Sequence, residues 1–370
     1  MSAACTECLR RSHLLSHLSP RIAELLGVPG RRVPALLALS DEELIEASAG
    51  KAAGLARRFL DEFDAPNARR AMEEAGVVAV CRHEPTYPAR LLELRDPPAA
   101  IFGSGDAGLL PPSRSGPFVT VVGTRRASPY GLEVAYELGR GLAAAGLVVV
   151  SGMALGIDAA AHRGALDAGG GGALAVLACG PDVPYPRTNR PLFRALRQRG
   201  LVISELPPGT APSRWGFPAR NRIMAGLAAM TVVVEAAEPS GSLITATFAA
   251  DLDREVGAVP GHVTARMAHG SNHLLHDGAH VVRGARDVLD VLFAVGSLDE
   301  RPRPDRAARE TLDPEQARVL AAVEAGAGVD SIAADAGLGA GAVRAALGRL
   351  EALGLVVRSG LGSYQRTARA

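Results

Sequence analysis

The chain has almost no lysine: of its 40 Lys and Arg residues only Lys51 is a lysine. A P-loop needs Gly-x-x-x-x-Gly-Lys-Ser/Thr, with the lysine reaching the nucleotide phosphates. Lys51 precedes Ala52 inside the alanine-rich stretch EASAGKAAG, so a Walker-type ATPase is excluded. Cysteine is also scarce, at 4 residues in 370, and reads as reduced thiol rather than a disulfide framework. No apolar run approaches the length of a membrane span. The opening MSAACTECLRRSHLL lacks the basic region, apolar core and cleavage site of a signal peptide. The expectation is a cytoplasmic protein without a membrane partner. A hydrophobic content of 48% with 21% charged residues is that of a folded chain, and 370 residues suggest two or three domains.

Periodicity divides the chain. Over 1–95 Leu, Ile and Ala recur at helical spacing, and Ser40 with Glu43 marks a helix start. Across 96–296 apolar strands (FVTVVG, LVVVSG, ALAVLACG, LVISE, MTVVVEA, REVGAVPG, AHVVRG) mostly alternate with helices. That alternation predicts an α/β fold with a doubly wound, mostly parallel sheet, whose ligands bind beyond the carboxyl ends of the strands. Residues 297–312 read as a Pro- and charge-rich linker, and 313–370 as three helices and a hairpin in winged-helix outline, with Gly360–Gly362 as the wing turn.

Several strands end in groups suited to phosphate. Gly123-Thr124-Arg125 offers backbone amide, hydroxyl and guanidinium together. Gly152 and Gly156 permit close backbone approach; Asp158 can cap the next helix and pair with His162 four residues on. Tyr185 supplies a stacking face and Arg187 a charge. Phe217, Arg220, Asn221 and Arg222 place an aromatic and two cations at one helix entrance, and Ser240-Gly241-Ser242 precedes an apolar helix as an N-terminal nest. Any one of these turns is ordinary; five on one sheet edge indicate a phosphate-rich ligand. The net charge is only +1, yet eight arginines against the single acid Glu205 lie between Val183 and Arg222. Such a concentration suggests one cationic surface with an anionic partner.

In order and spacing, VVGTRRASPYG, SGMALGIDAAAH, YPRTN, ISELPPGT, FPARNRIMAGL, VVVEAAEPSGSLITA and AVPG resemble the DNA-processing protein A family (DprA, also called Smf). The resemblance implies an extended Rossmann-like domain, with an N-terminal helical, SAM-like domain and, in part of the family, a C-terminal winged helix. It further implies binding of single-stranded DNA, loading of the RecA recombinase in DNA uptake and natural transformation, dimerisation through the Rossmann-like domain, and no catalysis. One departure is visible: Thr124 stands where the family has serine, and it keeps the hydroxyl. The recognition-helix candidate AVRAALGRLEAL carries just Arg344 and Arg349, so strong duplex binding by it is not expected.

Two alternatives share this fold. A nucleotide N-glycosidase or phosphoribohydrolase would use Glu205 and Glu235, at strand ends, as acid or base. Such enzymes carry a Pro-Gly-Gly-x-Gly-Thr loop, and this chain has EPSGSLITA in the analogous place. A nucleotide sensor that ignores DNA is the other. Cys5, Cys8, His13 and His17 have zinc-compatible spacing, but it is short of a standard finger and both histidines fall in one apolar helix, so neither a metal nor another cofactor is expected.

Overall fold

The computed structural model describes residues 4–26, 36–110, 118–168, 170–293, 312–325, 329–353, 355–358 and 364–366. They form two compact units, one up to Ala294 and one from Val295. The first begins with helices α1 (Thr6–Leu26), α2 (Asp41–Ser48), α3 (Ala53–Asp61) and α4 (Ala65–Glu74). Leu14, Leu15, Leu18 and Ile22 form the buried stripe of α1, at the i, i+3/i+4 spacing that makes one face apolar. The capping box at α2 is formed: Glu43 N donates to Ser40 Oγ, and Ser40 N donates to Glu43 Oε2 at 2.9 Å.

Nine strands follow: β1 (Val78–Cys81), β2 (Ala100–Gly105), β3 (Phe118–Val122), β4 (Val148–Ser151), β5 (Ala173–Val176), β6 (Leu201–Ser204), β7 (Met230–Val233), β8 (Glu255–Ala258) and β9 (His280–Val281). Helices α5 (Pro129–Ala144), α6 (Ile157–Ala168), α7 (Arg190–Arg199), α8 (Gly216–Leu227), α9 (Gly241–Ala250), α10 (His269–His276) and α11 (Ala285–Phe293) connect or follow them. All lie in one sheet of order β1-β2-β6-β5-β4-β3-β7-β8-β9. The pairs from β6 through β9 are parallel, whereas β1 with β2 and β2 with β6 are antiparallel.

Alternation of side chains divides the core in two. Val119 and Val121 of β3 join the cluster that α5, α6 and α7 cover, while Phe118 and Val122 join the one that α8 covers. The α/β expectation therefore holds, with one difference. Residues 78–81 fall within the stretch expected to be helical, yet they form a sheet strand. The apolar run VVAV is too short for a stable helix, and Gly76, at φ +63, ends α4 just before it.

The helical region packs directly on the sheet domain. Leu14, Leu18 and Ile22 share a cluster with Leu206, Trp215 and Ala219, and Trp215 Nε1 donates to Ser19 Oγ at 2.9 Å. His13 and His17 belong to this packing. The His13 ring donates from Nδ1 to the Leu9 carbonyl at 2.8 Å, and His17 stacks on Phe59 with centroids 4.5 Å apart. The zinc-compatible spacing of these histidines with Cys5 and Cys8 is not met in space, because helical rotation and aromatic neighbours turn them away.

The second unit holds α12 (Pro314–Glu324), α13 (Val329–Asp335), α14 (Ala340–Ala352) and an antiparallel hairpin, β10 (Val356–Arg358) with β11 (Tyr364–Arg366). Its core is Val319, Leu320, Val323, Ile332, Val343, Leu347 and Leu350. This is the winged-helix arrangement. The expected wing turn at Gly360–Gly362 and residues 297–311 of the expected linker lie outside the described residues. No helix among the described residues is long and apolar enough to cross a membrane.

Candidate functional site

The chain leaves β3 outward through β4, β5 and β6, then returns to β7 on the other side of β3. Crevices at such reversals are where open α/β sheets receive ligands. A cavity of about 430 Å³ opens here, beyond the ends of β3 and β7. It is lined by Gly123, Thr124 and Arg125 from the first strand end, Asp158 of α6, Phe217, Arg220 and Asn221 of α8, and Ser240, Gly241 and Ser242 at the start of α9.

Tight backbone packing sets its floor. Gly156 has φ +78, and a Cβ there would lie 2.3 Å from the Thr124 carbonyl oxygen, so only glycine fits. At Gly152 a Cβ would meet the Arg220 guanidinium at 2.0 Å. Thr124 N donates to the Glu235 carbonyl at 2.7 Å, and Thr124 Oγ1 accepts from Arg126 N at 3.2 Å. The Thr124 amide, expected to face a phosphate, is therefore engaged within the protein. Arg125 is exposed, with its guanidinium 5.1 Å from the centre of the Phe217 ring. Phe217 in turn lies 5.7 Å from Tyr185, which is 37% exposed, and Arg187 beyond it is exposed too. Cation and two rings form a continuous row at the cavity mouth.

The opposite wall is the nest. Ser240 caps α9 by accepting from Ser242 N at 3.3 Å, and the two hydroxyls share a 2.7 Å hydrogen bond. Asn221 Nδ2 donates to the Gly241 carbonyl at 3.1 Å and fixes the entry of the helix. The buried Thr245 hydroxyl lines the cavity and has no partner within the protein. Together with Arg126 it was missed by sequence reading. Arg126 is signalled by the second arginine of GTRR, and Thr245 by lying one turn beyond Ser242 on α9.

Of the eight arginines of 183–222, Arg187, Arg190, Arg194, Arg199 and Arg214 are exposed, Arg197 is half-buried, and Arg220 and Arg222 are buried. Arg220 is buried, its Nη1 donating to the carbonyls of Gly152 (2.6 Å) and Val176 (2.5 Å), so it binds the ends of β4 and β5 together beneath the cavity. Arg222 lies away from the cavity. Its Nε donates to Asp96 at 2.7 Å and its Nη2 to Glu205 at 2.8 Å, with all three side chains buried. The expectation that Arg222 offers a cation to phosphate is corrected: burial at the base of α8 commits every guanidinium nitrogen internally.

The carboxylates are likewise engaged. Glu205 pairs with Arg222, and Glu235 accepts from Ser128 N at 2.9 Å and from Ser128 Oγ, anchoring the start of α5. Both candidate acids of the enzymatic reading thus hold the fold. Asp158 is buried and accepts from Gly152 N at 3.1 Å and Ala154 N at 3.4 Å, so it braces the β4–α6 loop instead of pairing with His162; burial raises its pKa.

His162 is wholly buried, and burial pushes its imidazole from 6.5 down to about 3. The unfolded chain takes up this proton below pH 6.5 while the native chain refuses it until about pH 3, so stability is lost as pH falls through that window. Between pH 6.5 and 5 the expected loss is about 2 kcal/mol, at roughly 1.4 kcal/mol per pH unit. Urea midpoints of the native protein and His162→Gln at pH 7 and pH 5 check this. The variant should lose the greater part of the decline; equal declines would refute the assignment.

A Rossmann-like α/β protein with a cationic, aromatic-edged cavity at its switch point is the class these features define. The family model described as DNA recombination-mediator protein A matches residues 78–293, and that of the DprA winged helix domain matches 302–360. Protein Smf of Synechocystis is 36% identical over 313 residues, which cover 76% of this chain and 78% of that protein. A putative DNA processing protein DprA of Mycobacterium tuberculosis is 43% identical over 238 residues, covering 64% of this chain and 61% of that one. Among solved structures, DNA processing protein A of Streptococcus pneumoniae superposes with a TM-score of 0.62 at 31% identity, covering 81% of this chain and 99% of that one. The Helicobacter pylori protein, described for its unique single-stranded DNA binding mode, gives a TM-score of 0.53 at 29% identity, covering 59% and 96%. The chain belongs to the DNA recombination-mediator protein A family, whose members bear the names DprA and Smf.

Proposed function

We propose that this protein binds single-stranded DNA along the switch-point cavity and delivers the strand to a RecA recombinase during DNA uptake and natural transformation, without catalysing a reaction itself. The row Arg125–Phe217–Tyr185 beside the nest at Ser240–Ser242 carries this reading. Single strands are held by cationic grooves that follow the phosphates and by aromatic faces on which bases stack, in any sequence. Duplex bases are already stacked and leave these rings nothing to receive. Binding of single-stranded DNA by the Helicobacter pylori relative supports the ligand class. Family membership supports delivery to RecA and a homodimer formed through the Rossmann-like domain, expected over 96–296 and extended here to include β1 from Val78.

Binding of a short oligodeoxynucleotide, single-stranded against duplex, over a salt series tests the proposal. Single-strand preference is expected, with a log–log salt slope that grows by about 0.7 per phosphate neutralised. A flat salt response, or equal affinity for duplex, would overturn it.

A further inference from the structure

Apart from the cavity, the described residues bring together one cluster of soft ligands. Cys5 precedes α1 and Cys8 lies in its first turn; Cys81 ends β1 and His83 follows in the next turn. One ligand atom from each lies within 4.8 Å of all the others. We propose that these four residues bind a zinc ion that fastens the start of α1 to the end of β1.

The geometry fits a tetrahedral Cys₃His site. With Zn–S near 2.3 Å and Zn–N near 2.05 Å, the sulfur–nitrogen edge of such a tetrahedron is about 3.6 Å and the sulfur–sulfur edge about 3.8 Å. His83 Nδ1 lies 3.4 Å from Cys5 Sγ and 3.5 Å from Cys8 Sγ, so one ring nitrogen already faces two thiols as an apical ligand would. A disulfide accounts for no such convergence, since it joins two sulfurs and leaves the imidazole and the third thiol without a role. All four cysteines of the chain are free. Three thiols, one imidazole and no ligating carboxylate form the donor set of structural zinc rather than of calcium or magnesium.

The surroundings agree. The Cys5 amide donates to Cys81 Sγ at 3.4 Å, the kind of outer contact that orients a ligating sulfur. Cys8 and Cys81 are buried against Leu9, Met72, Val77 and Phe102, which exclude water from one side, while exposed His83 leaves a path of entry. Binding exchanges three thiol protons for one Zn²⁺, leaving a single net negative charge beside exposed Arg82. The clasp would close a loop of 76 residues in sequence, from Cys5 to Cys81, that contains most of the helical region.

Elemental analysis of the full-length protein, purified without chelator and passed through gel filtration, is expected to find about one zinc per chain. Cobalt substitution should give the thiolate charge-transfer and tetrahedral ligand-field bands. Cys81→Ser and exposed His83→Ala should each lose most of the metal, while His13→Ala and His17→Ala retain it. If Cys81→Ser fails to fold, His83→Ala read by cobalt spectroscopy decides. Four titratable thiols that take up neither zinc nor cobalt, a disulfide among Cys5, Cys8 and Cys81 in the native protein, or metal retained by His83→Ala and Cys81→Ser alike would each overturn the proposal.

Discussion

Replacing Arg222 with methionine is expected to destabilise the larger unit by about 3–5 kcal/mol, the usual cost of leaving buried charges without their partner. Arg222 is 2% exposed and holds both Asp96 and Glu205, themselves buried, so the substitution strands two carboxylates in the interior. Burial pushes the Asp96 carboxyl above its ordinary range even with the guanidinium in contact. Urea unfolding followed through the transition of the larger unit measures the loss. Adding Asp96→Asn and Glu205→Gln should restore a substantial part, because neutral amides no longer need the charge. A loss below about 1 kcal/mol in the single variant would mean that water reaches the triad. Under conditions where Arg222→Met remains folded, its affinity for single-stranded DNA should stay within about twofold of the native value. This separates a residue that supports α8 from one that touches the ligand.

Arg125→Ala should weaken single-strand binding by about tenfold or more, since a charge-assisted phosphate contact contributes roughly 1.5–3 kcal/mol. Arg125 is exposed, packs over Phe217 and makes no ion pair among the described residues. Removing it leaves the turn intact, because its backbone rather than its side chain closes on Gly156. Arg286→Ala is the control. It removes the same charge from α11, where the guanidinium faces Asp290 at 3.9 Å, and should change affinity less than twofold. Fluorescence anisotropy with a labelled oligonucleotide at fixed salt makes the comparison. Equal losses would assign binding to net charge and remove the cavity from the mechanism.

The α/β architecture was legible because buried parallel strands are short continuous apolar runs and their helices carry their own start signals, as at Ser128, Ser240 and Ser40. The cavity was legible in outline for a related reason. A glycine such as Gly156 is required by local backbone geometry, and local geometry is written in consecutive residues. Strand β1 was not legible, and of β2 only a short extended run was, without its place in the sheet. β2 joins β6 antiparallel across a long sequence separation, and no periodicity in 78–105 announces that partner.

Sequence by itself determined the order of strands and helices from β3 onward, the switch-point turns, the absence of a P-loop lysine and the family motifs, since each depends on residue type and near spacing. Tertiary structure alone decided which charges are available. Arg220 and Arg222 are two residues apart on one helix and Arg125 and Arg126 adjoin in one turn; the second pair is exposed, yet burial commits the first to carbonyls and carboxylates from distant segments. It alone also brought Cys81 and His83 to Cys5 and Cys8, while His13 and His17, nearer in sequence, turned into aromatic packing. The reason is common to both cases: the cost of burying a charge or thiol is set by what surrounds it in space, and those neighbours come from parts of the chain that local pattern does not connect.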